Sequence, residues 1–392
     1  MYGMKRAASI FAAGLAFRLS AAAYLARVKP DLLPWGSNEV GVVARWIVTT
    51  HSFSSPFHDA HGPTAWLAPV YPMLVAGIFL IFGVQTSASV IAMLVVNSVC
   101  SAATGIVVYE IGKELHSEKA GLLAGWIWAF SPALAILPFI KWDTCLSALV
   151  SSAALLQTLR LSSGKSEGWA RCGAMWGFAG LVNPALLAPL PILAWLLSDR
   201  GRRWKPVLVM TILAAIDFFP WTVRNYVVFH EILPIRSNGL AEVYFANCGF
   251  ELHPLGPSME YQRLGEPAFT AQLNRRALEY VRTHPRDFLR DSVRRAWLFW
   301  IYPINLWPLS AGIDMAALVG LILVFKKSRA LALVLLTVLA MYPLVYYASQ
   351  VVSRYRHPIE PVLYALTGIA LSSVSLKRST EAVSLKHDKC AR

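Results

Sequence analysis

Two acidic residues stand where a charge is expensive. Glu39 lies in Trp35-Gly-Ser-Asn-Glu-Val-Gly-Val-Val-Ala-Arg45, and Asp143 follows Lys141-Trp142 between two apolar runs. Ionisable groups at such positions are usually functional. A carboxylate held against an apolar wall gains proton affinity, which suits it to deprotonate a hydroxyl. Glu39 is therefore a candidate general base. Asp143 is a candidate second acid that orients a substrate. Each also has a plainer reading: Glu39 as the N-terminal acid of an interfacial helix, favoured by its dipole, and Asp143 as a salt-bridged helix cap.

Guanidinium groups form the second set. Arg224 lies in Pro220-Trp-Thr-Val-Arg-Asn-Tyr226, while Arg354, Arg356 and His357 fall within Arg354-Tyr-Arg-His-Pro358. An arginine fork donates two parallel hydrogen bonds to a phosphate. Two such segments at the ends of apolar runs point to a lipid-phosphate head group. Ordinary interfacial anchoring is the alternative, and Asp217 could pair with Arg224. Arg18, inside the first apolar run, needs a partner that the sequence does not name. His58, Asp59 and His61 could hold a divalent metal. Three ligands within four residues is poor geometry, and a solvated loop is the simpler reading. The five cysteines have no CxxC spacing, so neither a disulfide framework nor a zinc site follows. No Walker loop, GxSxG elbow or HExxH is present.

The surrounding sequence is membrane protein. Of 392 residues, 56% are hydrophobic and 15% charged, and mean hydropathy is +0.50. Soluble domains carry about 25% charged residues. Candidate spans are 7–26, 68–84, 86–110, 120–139, 143–160, 172–183, 184–198, 206–222, 311–325, 330–348 and 359–376. The fold class expected is all-α and polytopic, with about ten transmembrane helices and juxtamembrane helices in the first outer loop. The first span has no convincing cleavage site and is read as uncleaved. The net charge of +14 is concentrated between spans, so it reports topology and not nucleic acid. All basic clusters fall on one side if 68–84, interrupted by Pro69 and Pro72, does not fully cross.

Four regions result: 1–222, a transmembrane module with the outer loop 27–66; 223–310, an outer loop with interfacial helices; 311–376, C-terminal spans; and 377–392, a polar tail. The segment 223–295 has ten Arg, no Lys and eight acids, and is expected to form one or two helices on the membrane.

The chain resembles the GT-C membrane glycosyltransferases, in particular bacterial relatives of the dolichyl-phosphate-mannose protein mannosyltransferases and the lipid A aminoarabinose transferase. The resemblance rests on short stretches in order: Glu39-Val-Gly-Val-Val-Ala-Arg45, Phe53-Ser-Ser-Pro-Phe57, Gly62-Pro-Thr-Ala-Trp-Leu-Ala-Pro-Val-Tyr-Pro72 and Phe82-Gly83. Trp142-Asp-Thr-Cys-Leu-Ser-Ala148, Leu181-Val-Asn-Pro184, Pro220 to Tyr226, Ile235-Arg-Ser-Asn238 and Arg354 to Pro358 continue it. It implies inverting transfer of a sugar from a polyprenyl-phosphate donor to a protein, lipid or glycan acceptor, on the outer face of the bacterial inner membrane. It also implies Glu39 as base, Asp143 as second acid, and Arg224, Arg354, Arg356 and His357 near the donor phosphate. Asn38, Lys141, Tyr71 and Asn238 are expected to touch substrate. Many relatives carry Asp-Glu where this chain has Asn38-Glu39. A lipid or glycan transporter, or a catalytically altered scaffold, are the competing classes. The sequence shows no inverted repeat of the kind transporters often carry.

Overall fold

The computed structural model describes residues 2–35, 38–57, 61–165, 167–198, 202–248, 259–301 and 307–373. Regular structure there is helical, apart from one isolated bridge between Ser54 and Pro63. The polar tail 377–392 lies outside the described residues.

The first half of the chain contains α1 (Tyr2–Val28), α2 (Glu39–Thr50), α3 (Val70–Phe82), α4 (Ser87–Leu115), α5 (Glu118–Phe130), α6 (Pro132–Ala135), α7 (Thr144–Ser162), α8 (Trp169–Val182) and α9 (Leu190–Leu197). The second half contains α10 (Trp204–Phe229), α11 (Gly239–Asn247), α12 (Met259–Leu264), α13 (Glu266–Thr283), α14 (Pro285–Ile301), α15 (Trp307–Lys327), α16 (Arg329–Met341) and α17 (Leu344–Ala348). A 3-10 turn, Ser353–Ile359, leads into a last helix over 360–373.

Among the described residues six helices are long and apolar enough to cross a bilayer. The pair Glu118–Phe130 and Pro132–Phe139, bent by 51°, makes a seventh. The bend has a local cause. Pro132 has no N–H, so the carbonyls before it lose helical donors. The buried Arg18 of α1 supplies replacements, donating to Trp128 O at 3.2 Å and Ala129 O at 3.0 Å. Its Nε donates to Ser101 Oγ at 2.7 Å. The partner missing from the sequence is thus a broken helix end, where backbone carbonyls gather negative charge.

Charged side chains gather the helix ends of one face. Arg6 pairs with Glu118 at 2.6 Å, Arg160 with Glu110 at 3.0 Å, and Lys165 with Glu114 at 2.7 Å. Lys327 donates to Leu115 O at 3.0 Å. The ends of α1, α4, α7 and α15 therefore meet, as loop charge predicts.

The segment around α3 stays with the other face. Before it, Thr64 O accepts from Arg224; after it, Ser89 Oγ accepts from Trp35 Nε1 at 2.9 Å. Both anchors belong to the first loop's surroundings. Thirteen helical residues span about 20 Å, short of the ~30 Å hydrocarbon core. The chain reverses at Gly83, whose φ of 90° is a conformation that favours glycine.

Among the described residues the long loop after α10 forms four helices, α11 to α14, where one or two are expected. Its α13 buries Phe269 and Leu273 in the core that also holds Phe57 and Trp66 of the first loop. Phe57, Trp66, Tyr261 and Phe269 pack edge-to-face and tilted at that junction. Along α14, Leu289, Val293 and Trp297 are exposed.

Candidate active site

The site starts at the first turn of α2. Asn38 Oδ1 accepts from Gly41 N at 2.8 Å, an N-cap that starts the helix at Glu39. Asn38 Nδ2 donates to Trp35 O at 2.6 Å. The residue standing where many relatives have Asp is thereby committed to shaping the turn.

Glu39 faces groups from three later parts of the chain. Its carboxyl is pushed up to about 7, first by burial and next by the nearby Glu242. Arg236, the Trp66 indole and Arg354 pull it the other way. The Trp66 N–H leans toward Glu39 without reaching full hydrogen-bond geometry. Burial disfavours the ionised form and a like charge adds to this, so Glu39 is a strong base for a carboxylate.

Arg354 sits between two rings, 4.4 Å from the Trp142 centroid and 5.3 Å from that of Tyr355. Stacking holds the guanidinium plane and leaves its N–H edge for an acceptor. Arg236 donates Nε to Trp66 O at 2.9 Å. Among the described residues neither arginine is in an ion pair. Glu242, on α11, accepts from Asn238 Nδ2 at 2.9 Å and from Gln350 Nε2 at 3.2 Å.

The scaffold under this cluster is held by Glu266. Its carboxylate accepts from Ala65 N at 2.6 Å, Ser237 Oγ at 2.8 Å, Tyr261 OH at 2.9 Å, and the Thr64 hydroxyl. Four donors satisfy a buried charge. They fix Trp66 and Arg236, one residue from Ala65 and Ser237 respectively.

Several residues expected at the site have other tasks. Arg224 donates to Thr64 O at 2.7 Å and Phe53 O at 3.1 Å, and lies 4.9 Å from the Trp221 ring centroid. It pins the first loop through these two carbonyls. Arg356 is buried, pairs with Asp314 and donates to Trp300 O at 2.9 Å. His357 is buried beside Glu360, with 2.6 Å between Nδ1 and Oε2, and stacks on Trp128. From the 3-10 turn Arg354 reaches the rings of Trp142 and Tyr355, while Arg356 and His357 are buried in the helix bundle. Tyr71 donates its hydroxyl to Asn97 at 3.2 Å. Lys141 donates to Pro34 O at 2.8 Å, tying the turn before α7 to the first loop. Asp143 accepts from Ser147 at 2.5 Å and Asn183 at 3.1 Å. Of the expected substrate-contacting residues, Asn238 joins the Glu39 cluster, through Glu242.

For the metal expectation, His61 packs on Trp46 at 5.2 Å, while His58 and Asp59 lie outside the described residues. Among the described residues no group of three or more His, Cys, Asp or Glu is arranged to hold an ion. Two carboxylates already faced by two guanidinium groups are a poor fit for one.

Sequence reasoning missed Arg236, Glu242, Trp66 and Glu266. Arg236 lies inside Ile235-Arg-Ser-Asn238 but has no signal of its own. Glu242 has a usable one, four residues after Asn238 on one helix face. Trp66 and Glu266 have none, because their partners lie far away in the chain.

A family model described as dolichyl-phosphate-mannose-protein mannosyltransferase matches residues 63–223. The oligosaccharyltransferase AglB from Archaeoglobus fulgidus, in complex with an inhibitory peptide and a dolichol-phosphate, superposes with a TM-score of 0.59 at 17% identity. The match covers 98% of this chain and 52% of that one. ArnT from Cupriavidus metallidurans, bound to undecaprenyl phosphate, superposes with a TM-score of 0.52 at 14% identity, covering 91% and 60%. The fold is GT-C. The A. fulgidus enzyme tethered to an acceptor peptide gives a TM-score of 0.57 at 14% identity, covering 96% and 50%. The chain thus spans about half the length of the archaeal enzyme. No curated protein matches by sequence. In the GT-C frame, the Glu39 cluster combines the start of the first loop with residues from the long second-half loop and the turn before the last helix.

Proposed function

We propose that this chain transfers a sugar from a polyprenyl-phosphate donor to an acceptor hydroxyl, with Glu39 as general base. The observation that carries this reading is the convergence of Glu39 with Arg236 and Arg354, two guanidinium groups without ion pairs among the described residues. Glu39 takes the proton of the acceptor hydroxyl. The acceptor oxygen forms a bond to the anomeric carbon as the carbon–phosphate oxygen bond breaks on the opposite side. Inversion follows from this in-line geometry. The electron pair leaves with the phosphate, and Arg354 and Arg236 stabilise the charge that develops there. The donor's lipid stays in the bilayer, so no nucleotide fold is required. Dolichol-phosphate and undecaprenyl phosphate in the two related structures support this donor class.

The cluster lies away from the basic loop ends. With those loops cytoplasmic, the site opens on the outer face of the bacterial inner membrane. The acceptor is a hydroxyl on a protein, lipid or glycan.

The test uses purified full-length protein in vesicles made with a bacterial lipid extract containing polyprenyl-phosphoryl sugars. Mass spectrometry follows loss of those sugars, release of polyprenyl phosphate and formation of a glycosylated acceptor. Wild type consumes donor, and Glu39→Gln slows consumption by about 10²–10⁴-fold. Lipid movement between leaflets with no covalent product would overturn the assignment.

A further inference from the structure

Arg354 belongs to a longer row of stacked groups. Its guanidinium carbon lies 4.4 Å from the Trp142 centroid and 5.3 Å from that of Tyr355. Tyr355 in turn stacks on Tyr346 of α17, with centroids 4.4 Å apart and planes 19° from parallel. Tyr346 stacks on Phe299 of α14, at 6.3 Å and again 19°. Tyr346 and Phe299 are both buried. Tyr355 is held a second time, through its backbone. The hydroxyl of the buried Tyr342 donates to Tyr355 O at 2.9 Å and lies 3.1 Å from the Tyr346 hydroxyl. The ends of the row are anchored as well. Arg295 of α14 donates to Tyr347 O at 3.3 Å and to Ala246 O at 2.7 Å. On either side of Trp142, Lys141 donates to Pro34 O at 2.8 Å and Asp143 accepts from Asn183 at 3.1 Å.

Building on the proposed role of Arg354 at the donor phosphate, we infer that Tyr342 and Tyr346 are a positioning pair: they fix Tyr355, and through it hold the Arg354 guanidinium ready for the phosphate. A long, flexible arginine loses conformational freedom when it grips an anion. A guanidinium already stacked on rings has lost much of that freedom beforehand. Tyr355 by itself is a poor support. It is the chain neighbour of Arg354 and only half-buried, so its own ring must be held. Tyr346 holds the ring and Tyr342 holds the carbonyl. The two tyrosines are four residues apart, and their rings lie 5.3 Å from each other. Behind them Phe299 carries the row into α14, so the outer-loop helix supports the same arginine. The pair acts on the donor only through Arg354.

The test measures binding of a short-chain polyprenyl phosphate to full-length protein in detergent by isothermal titration. Tyr346→Leu should weaken binding roughly 2–10-fold, the range of one aromatic pair. Tyr346→Phe keeps the ring and should restore most of the loss. In an Arg354→Ala background the same Tyr346→Leu change should add nothing, whereas a general loosening of the fold would weaken binding in both backgrounds. A folded Tyr346→Leu that binds like wild type overturns the inference, as does an effect that persists undiminished without Arg354. If Tyr346→Leu misfolds, Tyr342→Phe releases the Tyr355 carbonyl and should weaken binding in the same Arg354-dependent way; no change there also overturns it. The two readings fail separately. Wild-type binding by Arg354→Ala takes Arg354 away from the phosphate, and the pair's role falls with it. Weakened binding by Arg354→Ala, with wild-type binding by the tyrosine variants, removes only the role of the pair.

Discussion

Replacing Glu39 by Gln should stabilise the protein while destroying its activity, and the gain should depend on pH. The Glu39 carboxyl is raised from 4.5 to about 7 in the folded protein. Between those values the folded state holds a proton that the unfolded chain has released. Stability from this group is therefore intact below about pH 4.5, falls as pH rises, and is fully lost above about pH 7. The amide in Glu39→Gln cannot ionise and escapes the loss. The full shift corresponds to about 3 kcal/mol, and the partial exposure of Glu39 reduces this to about 1–2 kcal/mol. Thermal unfolding of purified protein in detergent at pH 5, 6, 7 and 8 measures it. The Tm difference between Glu39→Gln and wild type should be smallest at pH 5, grow by a few degrees by pH 8, and then level off. A variant less stable than wild type at pH 8, or a difference independent of pH, would refute the picture of a destabilised, functional carboxylate. Transfer by wild type should rise with pH through about 7, as the base loses its proton.

Arg354→Ala should reduce donor consumption at least about 10-fold with little loss of stability, since it removes a charge with no ion-pair partner among the described residues. Arg354→Lys should restore only part, because an ammonium cannot fill the slot between Trp142 and Tyr355; saturation kinetics with donor lipid check both. Arg356→Met should leave Asp314 uncompensated and destabilise the fold by about 3–5 kcal/mol, read as a drop in Tm, and Asp314→Leu in the same chain should recover much of it. Glu266→Ala strips the acceptor from four donors and should expose the Thr64–Trp66 segment to proteolysis before the rest of the protein unfolds.

The loop charges grouped correctly because they obey a rule local in sequence. Arg6, Arg160, Lys165 and Lys327 sit beside apolar runs, and the bilayer forces their loops to one side wherever the spans pack. The same parity leads to the expectation that residues 68–84 do not fully cross, and α3 is a short helix of thirteen residues. Glu39 was legible for a related reason: an acid one turn after a Trp, opening an apolar helix, is costly enough to be noticed. Arg354 and Arg356 show where such reasoning stops. They are two residues apart and chemically identical. Which one meets Glu39 and which meets Asp314 depends on how the 3-10 turn Ser353–Ile359 sits over α15.

What the sequence by itself determined was the membrane fold, the grouping of basic loops, and the types of residue available for chemistry, since hydropathy and charge act over a few turns of chain. Only the tertiary structure decided which of those residues work together. Glu39, Glu242 and Arg354 are separated by more than a hundred residues at each step. Their proximity is set by Glu266 clamping the first loop to α13 and by Asn238 and Gln350 holding Glu242. Hydrogen bonds of that kind are specified by the packing of distant helices, and no pattern along the chain records them.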